Sequence, residues 1–252
     1  MNAFIGMSAT DRRQLCADAA PILGLPAVSV EKDFWVCWCL RLLFTHPTWG
    51  AHLTFKGGTS LSKCWKLIDR FSEDVDVVID RDWLGFGGDA APDQAPSRKQ
   101  TRKRLDALRA ASQACVNDIL LPDIADRMAS ELPEAARWKV ERDPDDPDQQ
   151  SILFTYPTAL DSSTGYLLPA VKIELGARSD TEPVESADVK PYLAEAFPDA
   201  FPDSTTAVRA VSPRRTFLEK AMLLHEESFR PAGKTRKARM SRHYYDLCRL
   251  IQ

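Results

Sequence analysis

The stretch FKGGTSLSKCWKLIDRFSEDVDVVID, Phe55 to Asp80, decides how the whole chain is read. It starts at the end of an apolar run, passes paired glycines (Gly57, Gly58) and two hydroxyls (Thr59, Ser60), and closes on two aspartates one residue apart, Asp74 and Asp76. Two local rules are broken. A Gly-Gly pair follows a strand-like run, and an Asp-x-Asp stands where a buried strand should begin. Breaks of this kind gather at functional sites.

Period-two alternation makes DVDVVID a strand, with Val75, Val77 and Ile79 facing one way and Asp74, Asp76, Val78 and Asp80 the other. Asp74 and Asp76 then share a face with Cα atoms about 6.6 Å apart, twice the strand rise. Carboxylates that close repel unless a cation lies between them or one takes a proton. Hard oxygen ligands suit Mg²⁺ or Mn²⁺, which can clamp the attacking and leaving oxygens of phosphoryl transfer. Upstream, HLTFKGG predicts a short strand ending in glycines, and TSLSKCWKLI a helix capped by Thr59 or Ser60. Glycines let backbone approach a ligand closely, and N–H groups opening a helix favour phosphate. Gly57, Gly58, Thr59 and Ser60 are therefore candidates to hold the triphosphate of an NTP, with Ser60 as the side-chain donor.

A later strand, LPAVKIELGAR, puts Val171, Ile173 and Leu175 on one face and Lys172 and Glu174 on the other. Glu174 is the third candidate acid, either a metal ligand beside Asp74 and Asp76 or the base that takes a proton from the attacking hydroxyl. Each feature alone also fits a solvated strand face or a tight turn. Their order along the chain favours a nucleotidyl-transfer site.

The remaining sequence frames that site. A chain of 252 residues allows one large domain or two modest ones with a real core. Hydrophobic content of 44% and charged content of 27% describe an ordinary globular protein. A net charge of −3 excludes a global pull toward nucleic acid or anionic membrane, so any basic face must be local. The N-terminus lacks the pattern of a secretory signal, and FWVCWCLRLLF, broken by Arg41, is too short to span a bilayer. The six cysteines form neither a C-x-x-C pair nor a Cys/His zinc spacing, as expected of reduced thiols in a cytoplasmic protein.

Two helices are predicted first. One is capped by Ser8 or Thr10 and ends near Gly24; the other is capped by Ser29 and apolar almost all round, hence buried. Lys32 and Asp33 near its start read as structural or as bordering the site. A Gly/Pro loop follows Asp80, then a long helix from Ser97 to about Ala129, then RWKVERD and SILFTYPTA as an antiparallel pair. Beyond Thr181, prolines and short helical patterns lead to TFLEKAMLLHEESF, where Thr216 and Glu219 match a capping box, and to a last helix from Ser241. A soft boundary lies between Arg178 and Val189.

Two basic runs, RKQTRKR and GKTRKARMSR, supply candidate RNA contacts: Arg98, Lys99, Arg102, Lys103, Lys234, Arg236, Lys237 and Arg242. They read either as solvated faces or as patches that neutralise a phosphate backbone.

KGGTSLSKCWKLIDRFSEDVDVVI resembles the first motif of the AbiEii/AbiGii toxin family within the polymerase beta-like nucleotidyltransferase superfamily. VKIEL resembles its second motif, FLEKAMLLHE its third (Glu219, Lys220), and RHYYDL its fourth (Arg242, Tyr245, Asp246, Leu247). The resemblance implies an α+β fold: a mixed nucleotidyltransferase sheet with packed helices over residues 1–183, and a helical lobe over 184–252. It implies metal ligation by Asp74, Asp76 and Glu174. Lys220 would stabilise charge on the phosphates, and Asp246 would hold Lys220, contact the nucleotide, or pair with Arg242 as a buried acid. It further implies a toxin of a toxin–antitoxin or phage-defence pair that transfers a nucleotide from an NTP to RNA, at the tRNA 3′ end in characterised relatives, with a cognate antitoxin and no membrane. Transfer to a protein or to a small molecule such as an aminoglycoside is the alternative, and a non-catalytic binding module the third reading. The spacing from Gly58 to Asp74 exceeds that of the wider superfamily and suits the narrower family. Relatives continue with further helices past the fourth motif, so the acceptor-binding lobe is expected to be small or incomplete at Gln252.

Overall fold

The computed structural model describes residues 1–160, 168–231, 233–235 and 240–251. Three N-terminal helices come first: α1 (Asn2–Gly6), α2 (Ala9–Leu23) and α3 (Ala27–Phe44). Ser8 caps α2 by accepting the Asp11 N–H, and Gly24 ends it in the left-handed conformation, φ +65°. Helix α3 starts earlier than expected, with Pro26 at its N-cap, so Ser29 lies inside the helix and is buried. The prediction that an all-apolar helix must be buried holds: Ser29 to Leu40 is buried without a break. Trp35 packs edge-on against Trp38 and Phe154 and stacks on Tyr156.

The chain then alternates strands and helices: β1 (Leu53–Lys56), α4 (Gly57–Lys63), β2 (Val75–Ile79), α5 (Arg98–Cys115), α6 (Leu121–Glu131), β3 (Lys139–Arg142), β4 (Ser151–Thr155) and β5 (Ala170–Gly176). A single π turn, Val116–Leu120, joins α5 to α6, so the predicted long helix is continuous but locally widened. The expected antiparallel pair is β3 with β4.

The helical character expected from residue 184 onward needs correction. Residues 184–211 contribute two strands, β6 (Val184–Val189) and β7 (Thr206–Val211), flanking a short helix α7 (Tyr192–Ala196). Both strands join the same sheet, in the order β3-β4-β5-β2-β1-β7-β6, with β7 parallel to β1. An edge strand such as VESADV is wetted on both faces and carries no alternation to read. Apart from α7, the helices of this region come last: α8 (Pro213–Ser228) and α9 (Ser241–Ile251). Ser212, not Thr216, sits at the N-cap of α8. Thr216 is buried in the helix and donates its hydroxyl to the Ser212 carbonyl, so the predicted capping box is absent.

Val75, Val77, Ile79, Ile152, Phe154, Val171, Ile173 and Leu175 form one core with α3, α5 and α6. That leaves the other sheet face, the one carrying the acids, to meet α8 and α9.

Candidate active site

The register places the acids. Strands β2 and β5 are parallel neighbours with Asp76 opposite Glu174, and β1 lies antiparallel on the other side with Lys56 opposite Asp76. Paired residues share a sheet face about 4.8 Å apart, so Lys56, Asp76 and Glu174 form one row, with Asp74 two residues along β2 from Asp76. Burial, then Glu174 and Asp74, push the Asp76 carboxyl up to about 7. Burial, then Glu73 and Glu174, raise Asp74, against the pull of Arg242 and Lys32.

Two cations already stand among these acids. Arg242 Nη1 lies 3.7 Å from Asp74 Oδ2, and Lys172 Nζ lies 3.2 Å from Glu174 Oε1. Among the described residues no three His, Cys, Asp or Glu side chains are arranged to hold a metal ion. The donor chemistry of Asp74 and Asp76 fits a hard divalent cation, since two carboxyls raised by burial and by neighbouring acids gain most from a positive partner. Glu174 is turned to Lys172 and does not complete the trio as placed.

The glycines do something other than expected. They form the first turn of α4, whose N-cap is Lys56, and not a turn ahead of it. Gly57 has φ +82°, and a Cβ there would fall 2.8 Å from Asp76 Cγ; a Cβ on Gly58 would fall 2.7 Å from Arg70 Nη2. The close approach they permit is to Asp76 and Arg70. Thr59 and Ser60 are fully buried. Thr59 donates to the Asp74 carbonyl at 2.5 Å and Ser60 to the Gly57 carbonyl at 2.9 Å. Ser60 is therefore not a free side-chain donor for a triphosphate; it braces the glycine turn.

Lys220 and Asp246 come together as the sequence suggested. Lys220 Nζ lies 2.9 Å from Asp246 Oδ2, and Asp246 is fully buried. Its second partner is Arg70, not Arg242: Nε and Nη2 donate to the two carboxylate oxygens at 2.7 and 2.6 Å. Burial pushes the Asp246 carboxyl up, but the hydrogen bonds from Arg70 and Lys220 outweigh it and hold the group below the usual range. A cavity of about 320 Å³ gathers Gly57, Gly58, Asp74, Asp76, Glu174 and Lys220, with Lys56, Arg70 and Arg242 on its walls.

Residues 41–252 match the family model of the nucleotidyl transferase AbiEii toxin of type IV toxin–antitoxin systems. The chain belongs to the AbiEii family. No curated protein matches it. Among solved structures it is similar to MenT4, a nucleotidyltransferase toxin from Mycobacterium tuberculosis H37Rv, at 15% identity and a TM-score of 0.40. The similarity covers 86% of this chain and 58% of MenT4.

Other residues of this AbiEii-family chain fall away from the cavity. Arg98, Lys99, Arg102 and Lys103 are all exposed on the first turns of α5 and line neither the cavity nor its neighbours. Lys234 lines a separate groove beside α8, and Arg236 and Lys237 lie outside the described residues. Arg242 faces Asp74 in the cavity rather than a basic surface. Lys32 pairs with Glu73, next to Asp74, and Asp33 forms a buried pair with Lys63 at 2.8 Å, so the first borders the site and the second is structural.

Sequence reasoning missed Lys56, Arg70 and His243. Burial, then Lys220 and Arg242, push His243 down to about 4, which keeps the ring neutral on the cavity wall. For Lys56 and Arg70 a signal existed: both sit inside the opening motif, directly before the glycines and before FSED.

Proposed function

We propose that this protein is a metal-dependent nucleotidyltransferase toxin that transfers NMP from an NTP to RNA, with the tRNA 3′ end as acceptor, in a system that includes a cognate antitoxin. One observation carries the reading: Asp76 and Glu174 stand side by side on parallel strands, with Asp74 beside them, in a cavity shared with the glycine turn and Lys220. Membership of the AbiEii family supports it.

Asp74 and Asp76 would hold Mg²⁺ or Mn²⁺, with Glu174 joining on release of Lys172; bound there, the ion supplies charge neutralisation for the phosphates and a hard Lewis acid. Gly57 and Gly58 line the triphosphate side with backbone. Lys220 offers a fixed point charge to the phosphates. Asp246 holds that ammonium. Where it does not join the metal, Glu174 instead accepts the proton of the attacking hydroxyl. The pair α8 and α9 acts as the second lobe, closing the cavity over the sheet.

The acceptor divides the reading in two. The cations at the start of α5 favour RNA, because cations there meet the positive end of the helix dipole and no acid in the first turn offsets them. A second cavity of about 270 Å³ shares Lys56, Asp76 and Glu174 with the first and adds Asp146, Asp148 and Gln150. Its acidic lining favours a cationic small molecule such as an aminoglycoside.

Purified protein is incubated with Mg²⁺, each labelled NTP in turn, and total bacterial RNA, beside Asp76→Ala. Label in a tRNA-sized band with wild type alone supports the leading reading. Label on a protein or an aminoglycoside, and none on RNA, moves the acceptor to the alternative. No transfer to any of these leaves a non-catalytic binding module.

A further inference from the structure

Two helices, α4 and α9, meet on the Arg70 guanidinium, and a third, α8, is tied to it through Asp246. Arg70 comes from the segment between α4 and β2 and lies over Gly58, where any Cβ would fall 2.7 Å from Nη2. It grips both oxygens of Asp246 on α9, and Asp246 in turn holds Lys220 of α8 at 2.9 Å. Asp246 is fully buried and Lys220 nearly so. A lone ammonium on this carboxylate could swing with it, because a single contact leaves the carboxylate free to rotate. A bidentate guanidinium removes that rotation, since its planar fork matches both oxygens at once.

We propose that Arg70 is a positioning residue for nucleotidyl transfer: by locking Asp246 in one orientation it fixes where the Lys220 ammonium meets the phosphates. The inference rests on the proposed function and deepens it. It also assigns a purpose to the second glycine, whose missing side chain makes room for the guanidinium. A competing role is mere docking of α9, because the neighbouring Asp69 also reaches that helix: its N–H donates to the Tyr245 hydroxyl at 3.4 Å, and its carboxylate pairs with Arg249 at 2.9 Å.

The test separates the two roles. Steady-state transfer is measured for wild type, Arg70→Gln, Arg70→Lys, Lys220→Ala, the Arg70→Gln/Lys220→Ala double variant and Arg249→Ala, with thermal melting of each. Partners that orient a metal's ligands typically change activity 10–100-fold, and a partner that orients a charged group at the phosphates is expected to act on the same scale. Arg70→Gln is expected to lower kcat by about that factor while KM for the NTP stays within roughly threefold. Arg70→Lys should recover part of the loss, since charge is kept and the fork is not. In the Lys220→Ala background Arg70→Gln should cost little, and Arg249→Ala should leave kcat near wild type.

An equal loss from Arg70→Gln with and without Lys220 would overturn the inference, as would an equal loss from Arg249→Ala. Should Arg70→Gln fail to fold, Arg70→Lys in the two Lys220 backgrounds decides by the same comparison. Wild type without transfer to any acceptor would remove the functional reading, and this inference with it, before any variant is compared.

Discussion

The Cα of Gly57 is pressed against the carboxylate of Asp76: a Cβ at that position would fall 2.8 Å from Asp76 Cγ, and the backbone holds φ +82°. Glycine at 57 is thus a condition for the aspartate to occupy the cavity at all. Gly57→Ala should fold with a penalty of about 1–3 kcal/mol from the strained φ, and lose transfer by 100-fold or more as Asp76 is displaced. Gly85→Ala shares the positive φ, +82°, with nothing within 4 Å of the added carbon. It should show strain alone, with turnover unchanged. Melting curves and transfer rates for the two variants make the comparison.

Gly58→Ala should behave differently from Gly57→Ala. Its added carbon meets Arg70 Nη2 at 2.7 Å and Ser72 Oγ at 2.9 Å, leaving Asp76 alone. The expected result is a lower kcat resembling that of Arg70→Gln, about 10–100-fold, with Mg²⁺ affinity retained. Metal titration of the variant checks the second half.

Asp76 sets a pH dependence in protein stripped of divalent metal. Its folded carboxyl titrates near 7, above the ordinary 3.8, because burial and the neighbouring acids disfavour its charge. Below the ordinary value both folded and unfolded forms are protonated and the site costs nothing. Between there and about 7 the fold takes up a proton on forming, so stability falls as pH rises through that window. Asp76→Asn should therefore raise the melting temperature at pH 8 and change it little at pH 4. Added Mg²⁺ should stabilise wild type and not the variant.

The pair Asp33–Lys63 makes a prediction about stability alone. Both side chains are buried at 2.8 Å, the ammonium lies over the Tyr192 ring, and Asp33 accepts the Tyr192 N–H. Lys63→Met leaves a buried acid without its cation and should cost about 3–5 kcal/mol in denaturant unfolding. Asp33→Asn combined with Lys63→Met should recover part of that, because an amide oxygen still accepts from Tyr192.

If RNA is the acceptor, reversing Arg98, Lys99, Arg102 and Lys103 to glutamate should weaken RNA binding and spare NTP binding. Four lost phosphate contacts would flatten the plot of log affinity against log salt by up to about 3. An unchanged slope would return the α5 cluster to a solvated face.

Much of the site was legible because local burial is written in local periodicity. Alternation in VDVVI and VKIEL marked two strands with acids on their wet faces, and the all-apolar run from Phe34 marked a buried helix. The family motifs along the chain carried the fold class. Elsewhere the reading strayed: β6, which carries no alternation, and β7, whose short alternation TAVRAV lies among prolines and helical patterns, were expected as helical, and Thr216 as a cap.

By itself, then, the sequence determined which residues carry charge and which segments alternate, and its family motifs named Asp74, Asp76, Glu174, Lys220 and Asp246 as candidates for one site. The tertiary structure alone decided which strand lies beside which, and so that Glu174 stands opposite Asp76 and that Arg70 closes on Asp246. It also decided that Ser60 bonds inward to Gly57 instead of outward to a ligand. The physical reason is range. Periodicity records whether a side chain meets water or core, a property of neighbouring residues. Register and ion-pair partners are settled by packing and hydrogen-bond satisfaction between segments far apart in the chain, and no local pattern encodes them.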